Sequence, residues 1–140
     1  MIALRHAVKV IAPCETVYRA LTEIEQMRQW HIGEITGAIA VGDTFFLERR
    51  PGLKFGWRTD RLEPNYLLEQ TPVAGPAASG KKRLVIEISE LDDGRSRIDL
   101  LDEGWQEDDP HLPLCNSYWG ETLTHLRDYV ERIAAAEVTV

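Results

Sequence analysis

The sequence predicts an α+β fold in which a curved antiparallel β-sheet of about six to seven strands, with two short helices, wraps around one long C-terminal helix. Two observations carry this prediction. Cys115, Trp119, Leu123, Leu126, Val130 and Ile133 recur at steps of four, four, three, four and three, which is one helical face sustained over about five turns. Between residues 33 and 103, β-branched and aromatic runs alternate with turn signals too short to hold crossover helices, so neighbouring strands are antiparallel. A chain of 140 residues suits one domain over 1–140. Its elements bury their apolar faces together if the sheet curls around the last helix.

The first strand is expected over 3–11, where Ala7, Lys9 and Ile11 oppose His6, Val8 and Val10 in an alternation that stops before Pro13. Pro13 then opens a helix of about two turns, with Glu15 in its first turn and an apolar stripe on Val17 and Leu21, flanked by Tyr18 and Ala20. Thr22-Glu23-Ile24-Glu25 has the T-x-x-E form of a capping box, which predicts a second short helix running to Trp30. Strands follow at 33–38, 44–49, 54–63, 66–71, 82–91 and 95–103. Their separators are Gly42-Asp43, Pro51-Gly52, Pro64-Asn65, the stretch 71–80 and Asp92-Asp93-Gly94. The stretch 71–80, of low complexity, reads as a flexible hairpin loop suited to gating a cavity mouth. Asp109-Pro110 offers a cap, and Pro113 sets the expected start of the regular C-terminal helix.

A formal net charge of −7 argues against nucleic acid or an anionic membrane as partner, because the mean field repels both. Arg49-Arg50 and Lys81-Lys82-Arg83, flanked by Pro or Gly, read as charged loop ends on a solvated surface. The N-terminal ten residues carry Arg5, His6 and Lys9 instead of a secretory apolar run, and no later stretch is long and apolar enough to span a bilayer. A cytoplasmic monomer or homodimer is expected. Cys14 and Cys115 lie far apart without a Cys-x-x-Cys partner and are expected to be free thiols.

The segments Ala12-Pro13-Cys14-Glu15-Thr16-Val17-Tyr18-Arg19-Ala20-Leu21-Thr22, Trp30, Gly42-Asp43-Thr44-Phe45, Leu62-Glu63-Pro64, 84–89 and Tyr118-Trp119-Gly120 resemble, in that order, the domain of activators of Hsp90 ATPase in the START and Bet v 1-like superfamily. The resemblance runs from about Val8 to Val130 and implies the helix-grip fold. It implies activity less specifically, since the superfamily spans lipid carriers, cyclases and co-chaperones. Two departures bear on a ligand. Asp102 followed by Glu103-Gly104-Trp105 stands where such domains commonly carry a His, and Trp57-Arg58-Thr59-Asp60-Arg61 replaces a usually aliphatic strand. A ligand with a polar part is therefore expected in place of a plain hydrocarbon.

If Leu62 points inward, as the resemblance implies, strict alternation also turns Asp60 and Arg58 inward and sends Trp57 out. Burying Phe55 and Trp57 instead puts Arg58 outside. Both hold together only if a bulge shifts the register between Trp57 and Leu62. In the functional hypothesis Arg58 or Asp60, together with Asp102, projects into the cavity and binds the polar end of a ligand. The bland alternative is an Arg58–acid pair that only closes the fold. Trp30, Phe45, Trp119 and Leu123 are expected to line a concave apolar site, or else simply to pack.

His111 and Cys115, near Asp108 and Asp109, form no convincing metal set, because Pro113 disturbs the turn and no second pair is visible. His6, His31 and His125 sit beside no Ser or Cys nucleophile motif and read as surface or packing residues. With no Gly-rich phosphate loop in the chain, no cofactor is expected. The first functional expectation is a non-enzymatic binder of a small, mainly apolar molecule with one polar end. The second is a co-chaperone-like module that stimulates an Hsp90-type ATPase through an outer surface such as the acidic stretch 102–109. The third is a cyclase- or hydratase-like enzyme using Asp60, Asp102 or Glu103.

Overall fold

The computed structural model of the protein describes residues 1–78 and 81–138. The chain runs β1 (Ile2–Val10), α1 (Cys14–Thr22), α2 (Ile24–Trp30), β2 (Glu34–Gly37), β3 (Thr44–Arg50), β4 (Leu53–Glu63), β5 (Leu67–Ala74), β6 (Arg83–Glu90), β7 (Ser96–Trp105) and α3 (Leu112–Val138). Short 3₁₀ turns follow β5 and β6 at Pro76–Ala78 and Asp92–Gly94. The seven strands form one antiparallel sheet in the order β1-β7-β6-β5-β4-β3-β2, open at both edges. The expected α+β helix-grip architecture is borne out.

β2 to β7 follow one another as hairpins, but β1 sits beside β7, so α1 and α2 carry the chain from one edge of the sheet to the other. Alternation decides what faces inward. Ile98 and Leu100 of β7, Leu84, Ile86 and Ile88 of β6, and Phe45 and Leu47 of β3 are all buried. Against them α3 places Trp119, Leu123, Leu126 and Val130, four of the six residues of its expected stripe, all buried; Cys115 and Ile133 at its ends are only partly so.

Several local expectations are corrected. Thr22 does not cap α2, because α1 continues through it and its hydroxyl donates back to the Tyr18 carbonyl at 2.8 Å. Glu23 joins the two helices instead, its carbonyl accepting from Gln26 and Met27 and its carboxylate accepting from Arg19 at 3.1 Å and from Gln26 at 2.9 Å. β5 runs on to Ala74 inside the expected loop. This is tolerated because β5 pairs with β6 only from Leu67 to Gln70, so Pro72 withholds no N–H from that neighbour. Of the stretch 71–80, Ser79 and Gly80 lie outside the described residues. α3 starts at Leu112, with Pro113 in its first turn, where a missing N–H costs no helical bond. Asp109 leads into it, its carboxylate accepting the His111 N–H at 2.9 Å.

Candidate functional site

β4 settles the orientation left open by the sequence. Trp57 pairs with Phe45 and Thr59 with Gln70, all facing inward, and the register against β5 then shifts between Thr59 and Arg61. The extra residue at this bulge is Asp60. Trp57 and Thr59 before it are buried, Leu62 after it is again half-buried, and Arg58, Asp60 and Arg61 all face outward. The expectation that Arg58 and Asp60 enter a cavity is thereby corrected. On the outer face the Arg58 Nε donates to Asp60 at 2.9 Å and the Thr71 hydroxyl donates to the same carboxylate at 2.5 Å. Asp60 is held below its ordinary range by these donors, against the opposing effect of its partial burial.

The inner face carries a line of rings. Phe45 stacks on Trp57 at 5.1 Å between centroids, Trp57 on Phe55 at 5.7 Å, and Phe55 on Tyr118 of α3 at 6.1 Å, with interplanar angles of 19°, 15° and 15°. Trp119 lies across this line, 6.3 Å from Trp57 and edge-on to Tyr118 at 5.1 Å. At the inner end is a void of about 30 Å³ between sheet and helices, with Trp30, Phe45, Trp57 and Trp119 in its walls. Trp57 and Trp119 also wall a chamber of about 10 Å³ that reaches Asp102. Phe55, Cys115 and Tyr118 are shared between that chamber and an open groove of about 570 Å³, whose rim carries Arg49 and Arg50.

Of the residues named from sequence, Trp30, Phe45 and Trp119 therefore come together at the void and Asp102 stands one chamber behind them. Leu123 is buried in the core beneath and lines none of these spaces. Asp102 accepts a hydrogen bond from the Trp119 indole at 2.8 Å. Desolvation raises its carboxyl above the ordinary range; the Trp119 donor and the Lys82 charge oppose the rise without cancelling it. Lys82 is itself buried, its ammonium 4.5 Å from the centroid of the Trp105 ring. Gly104, at φ +94°, makes the bulge that turns Trp105 inward; a Cβ there would stand 2.1 Å from the Lys81 carbonyl oxygen.

Sequence reasoning missed three participants. His31 lies at the void, its ring stacked on Trp30 at 3.9 Å; the residue reaches the surface in part, while its Nδ1 is fully enclosed and has no hydrogen-bond partner. Burial, aided by the Arg49 charge, pulls this imidazole down to about 3, so it is neutral at physiological pH. Arg49, expected as a solvated loop end, packs its guanidinium over the Tyr118 ring at 4.3 Å and pairs with Glu121 at 3.4 Å. Tyr118 is buried, its hydroxyl outside hydrogen-bond geometry with any described group, and desolvation pushes its phenol up to about 12. A Trp-His pair ending a short helix was the only sequence signal for His31. The burial of Cys115 beside the chamber raises its thiol to about 11, which leaves it un-ionised and a weak nucleophile.

The comparisons with known proteins agree with this architecture. A family model described as Activator of Hsp90 ATPase homolog 1-like protein matches residues 11–131. No curated protein matches the sequence significantly. Among solved structures, the Aha1 dimer from Colwellia psychrerythraea superposes with a TM-score of 0.84 at 21% identity, covering 94% of this chain and 97% of that one. Protein MLL2253 from Mesorhizobium loti gives 0.81 at 18% identity over 94% and 98% of the two chains. CalU16 from Micromonospora echinospora gives 0.75 at 20% identity over 91% and 73%. At these identities the likeness is one of fold. No helix among the described residues is long and apolar enough to cross a membrane.

Proposed function

The chain belongs to the family of Activator of Hsp90 ATPase homolog 1-like proteins, within the START and Bet v 1-like superfamily, and on that premise we propose that it binds a small amphipathic molecule along its inner aromatic line. One observation carries the reading: near-parallel rings lead from a small inner void to an open groove of about 570 Å³ rimmed by two arginines. Rings supply the large apolar contact that small-molecule sites use, and a few polar groups at the ends fix orientation. In this reading Trp30, Phe45 and Trp119 contact the ligand body, Leu123 backs them, and Arg49 with Arg50 meets its charged end. Arg58 and Asp60 take no part.

The test is native mass spectrometry of the freshly purified chain for a retained small molecule, together with quenching of tryptophan fluorescence by naphthyl carboxylates. Saturable quenching, weakened at least tenfold in a Trp119→Ala variant that still folds, is the expected result. No retained mass and no saturable quenching would refute it. A second reading, a co-chaperone-like module stimulating an Hsp90-type ATPase, draws on the other side of the geometry. An inner space of about 30 Å³ is too small for a whole ligand, so an outer surface would do the work. Stimulation of such an ATPase by the chain, undiminished in Trp119→Ala, would favour it. A cyclase-like reaction has less support, because Asp102 is enclosed and engaged by Trp119.

A further inference from the structure

We infer that His31 is the deep anchor of this site, and that the ligand it selects is a flat aromatic molecule with an uncharged hydroxyl at its inner tip and an anionic group at its outer end. The inference rests on the proposed ligand-binding reading and adds the ligand's chemistry to it.

The chemistry of the inner end follows from what the void lacks. Its walls are apolar apart from His31, Gln70 and the tryptophan indole N–H groups; the Gln70 amide already donates to the Thr59 hydroxyl at 3.2 Å, and the Trp30 and Trp119 indoles donate to the Ala20 carbonyl and to Asp102. His31 Nδ1 is enclosed with nothing to bond to. Buried polar atoms are nearly always partnered, so one that is not, at the wall of a void, marks the place for an incoming group. The void of about 30 Å³ takes a hydroxyl but no carboxylate or phosphate. The imidazole, held neutral, offers an anion no charge of its own. A water of that size would find His31 and the Gln70 amide as partners, and an incoming hydroxyl takes its place with the same bonds. A hydroxyl carried on an aromatic carbon meets both conditions: its oxygen faces Nδ1 and its ring faces the apolar walls. Because a hydroxyl both donates and accepts, it serves either imidazole tautomer.

The body and the outer end follow from the groove. Phe45, Trp57, Phe55 and Tyr118 present nearly parallel planes, with 15–19° between neighbours, which favours a flat ring over a branched aliphatic chain. Arg49 is fixed over Tyr118 with its one carboxylate contact at 3.4 Å and a half-exposed Glu121. Together with Arg50 on the same rim, it gives an anion two guanidinium forks. The ring reaches the void only when the Trp119 indole moves aside, since Trp57 and Trp119 divide the void from the outer chamber.

Isothermal titration of the whole chain with four probes tests this: 6-hydroxy-2-naphthoate, 2-naphthoate, 6-methyl-2-naphthoate and 2-naphthol. The wild-type chain is expected to bind 6-hydroxy-2-naphthoate about tenfold more tightly than 2-naphthoate, the contribution of one good buried hydrogen bond, and more tightly than the 6-methyl probe. His31→Phe should bring the hydroxyl and parent probes within twofold while keeping the preference for 6-hydroxy-2-naphthoate over 2-naphthol. Arg49→Met should do the reverse. Equal binding of the 6-hydroxy and 6-methyl probes to the wild type, which requires no variant to fold, overturns the anchor and leaves the proposed site standing. So does a hydroxyl preference that survives His31→Phe. Binding by none of the four probes, with no saturable quenching by any naphthyl carboxylate, removes both the anchor and the site.

Discussion

The two faces of the sheet treat polar groups in opposite ways, and β4 contributes to both. Outward, four arginines have a carboxylate in reach along their own strand or the next: Arg58 with Asp60 at 2.9 Å, Arg83 with Glu103 at 2.6 Å, Arg97 with Asp99 at 2.9 Å, and Arg61 with Glu63. Inward, Asp102 and Gln70 are each tied by a specific bond, while His31 Nδ1 has none. Outer pairs sit in water, where the attraction is screened and holding two long side chains still costs entropy. Inner groups have lost their water, so each unmade bond is felt in full. Pairing is therefore abundant where it matters little and scarce where it matters most.

His31 offers the largest test of this contrast. Its folded imidazole is pulled from 6.5 to about 3, so the unfolded chain binds the proton more readily. Stability from this group is present above 6.5 and is lost as pH falls toward 3. The loss is on the order of 4 to 5 kcal/mol by the conversion of about 1.4 kcal/mol per pKa unit. Urea denaturation from pH 7 to pH 4.5 should show most of the decline, and His31→Phe should flatten it over that window. An equally steep decline in the variant would place the acid sensitivity elsewhere.

Asp102 sharpens the comparison with a smaller effect of opposite sign. Because burial raises its carboxyl above the ordinary range, the folded chain holds the proton more tightly than the unfolded one. Its contribution is fully present below the unfolded value and is lost as pH rises through the folded one. Asp102→Asn keeps an acceptor for the Trp119 indole and should gain stability relative to wild type between pH 4 and pH 7. Asp102→Ala removes the acceptor and should cost about 1–3 kcal/mol at low pH, measured by the same denaturation series. The smallest effect belongs outside. Arg58→Met is expected to change stability by no more than about 0.5 kcal/mol and to leave naphthoate binding unchanged, in contrast to Arg49→Met. A tenfold loss of binding in Arg58→Met would return that residue to the site.

Where sequence reasoning reached the site, it did so through size and periodicity. Trp30, Phe45 and Trp119 were legible as cavity walls because large rings on inward-facing positions of a sheet and helix have few other places to go. The facing of Arg58 and Asp60 stays open in the sequence for a physical reason. A single extra residue at the Asp60 bulge reverses the facing of everything after it, and alternation cannot say which residue is the extra one. Arg49 reads as a loop end because nothing in the sequence brings residue 49 onto the ring of residue 118.

By itself the sequence determined the order of elements, the antiparallel sheet and the inward stripe of α3, because these follow from local periodicity and turn chemistry. Those signals act over a few residues and survive in any compact arrangement. The register of β4, the neutral state of His31, the enclosure of Asp102 and the size of the void were decided only by tertiary structure. Each depends on how closely distant segments approach and on how much water they exclude, and neither quantity is written into any short stretch of chain.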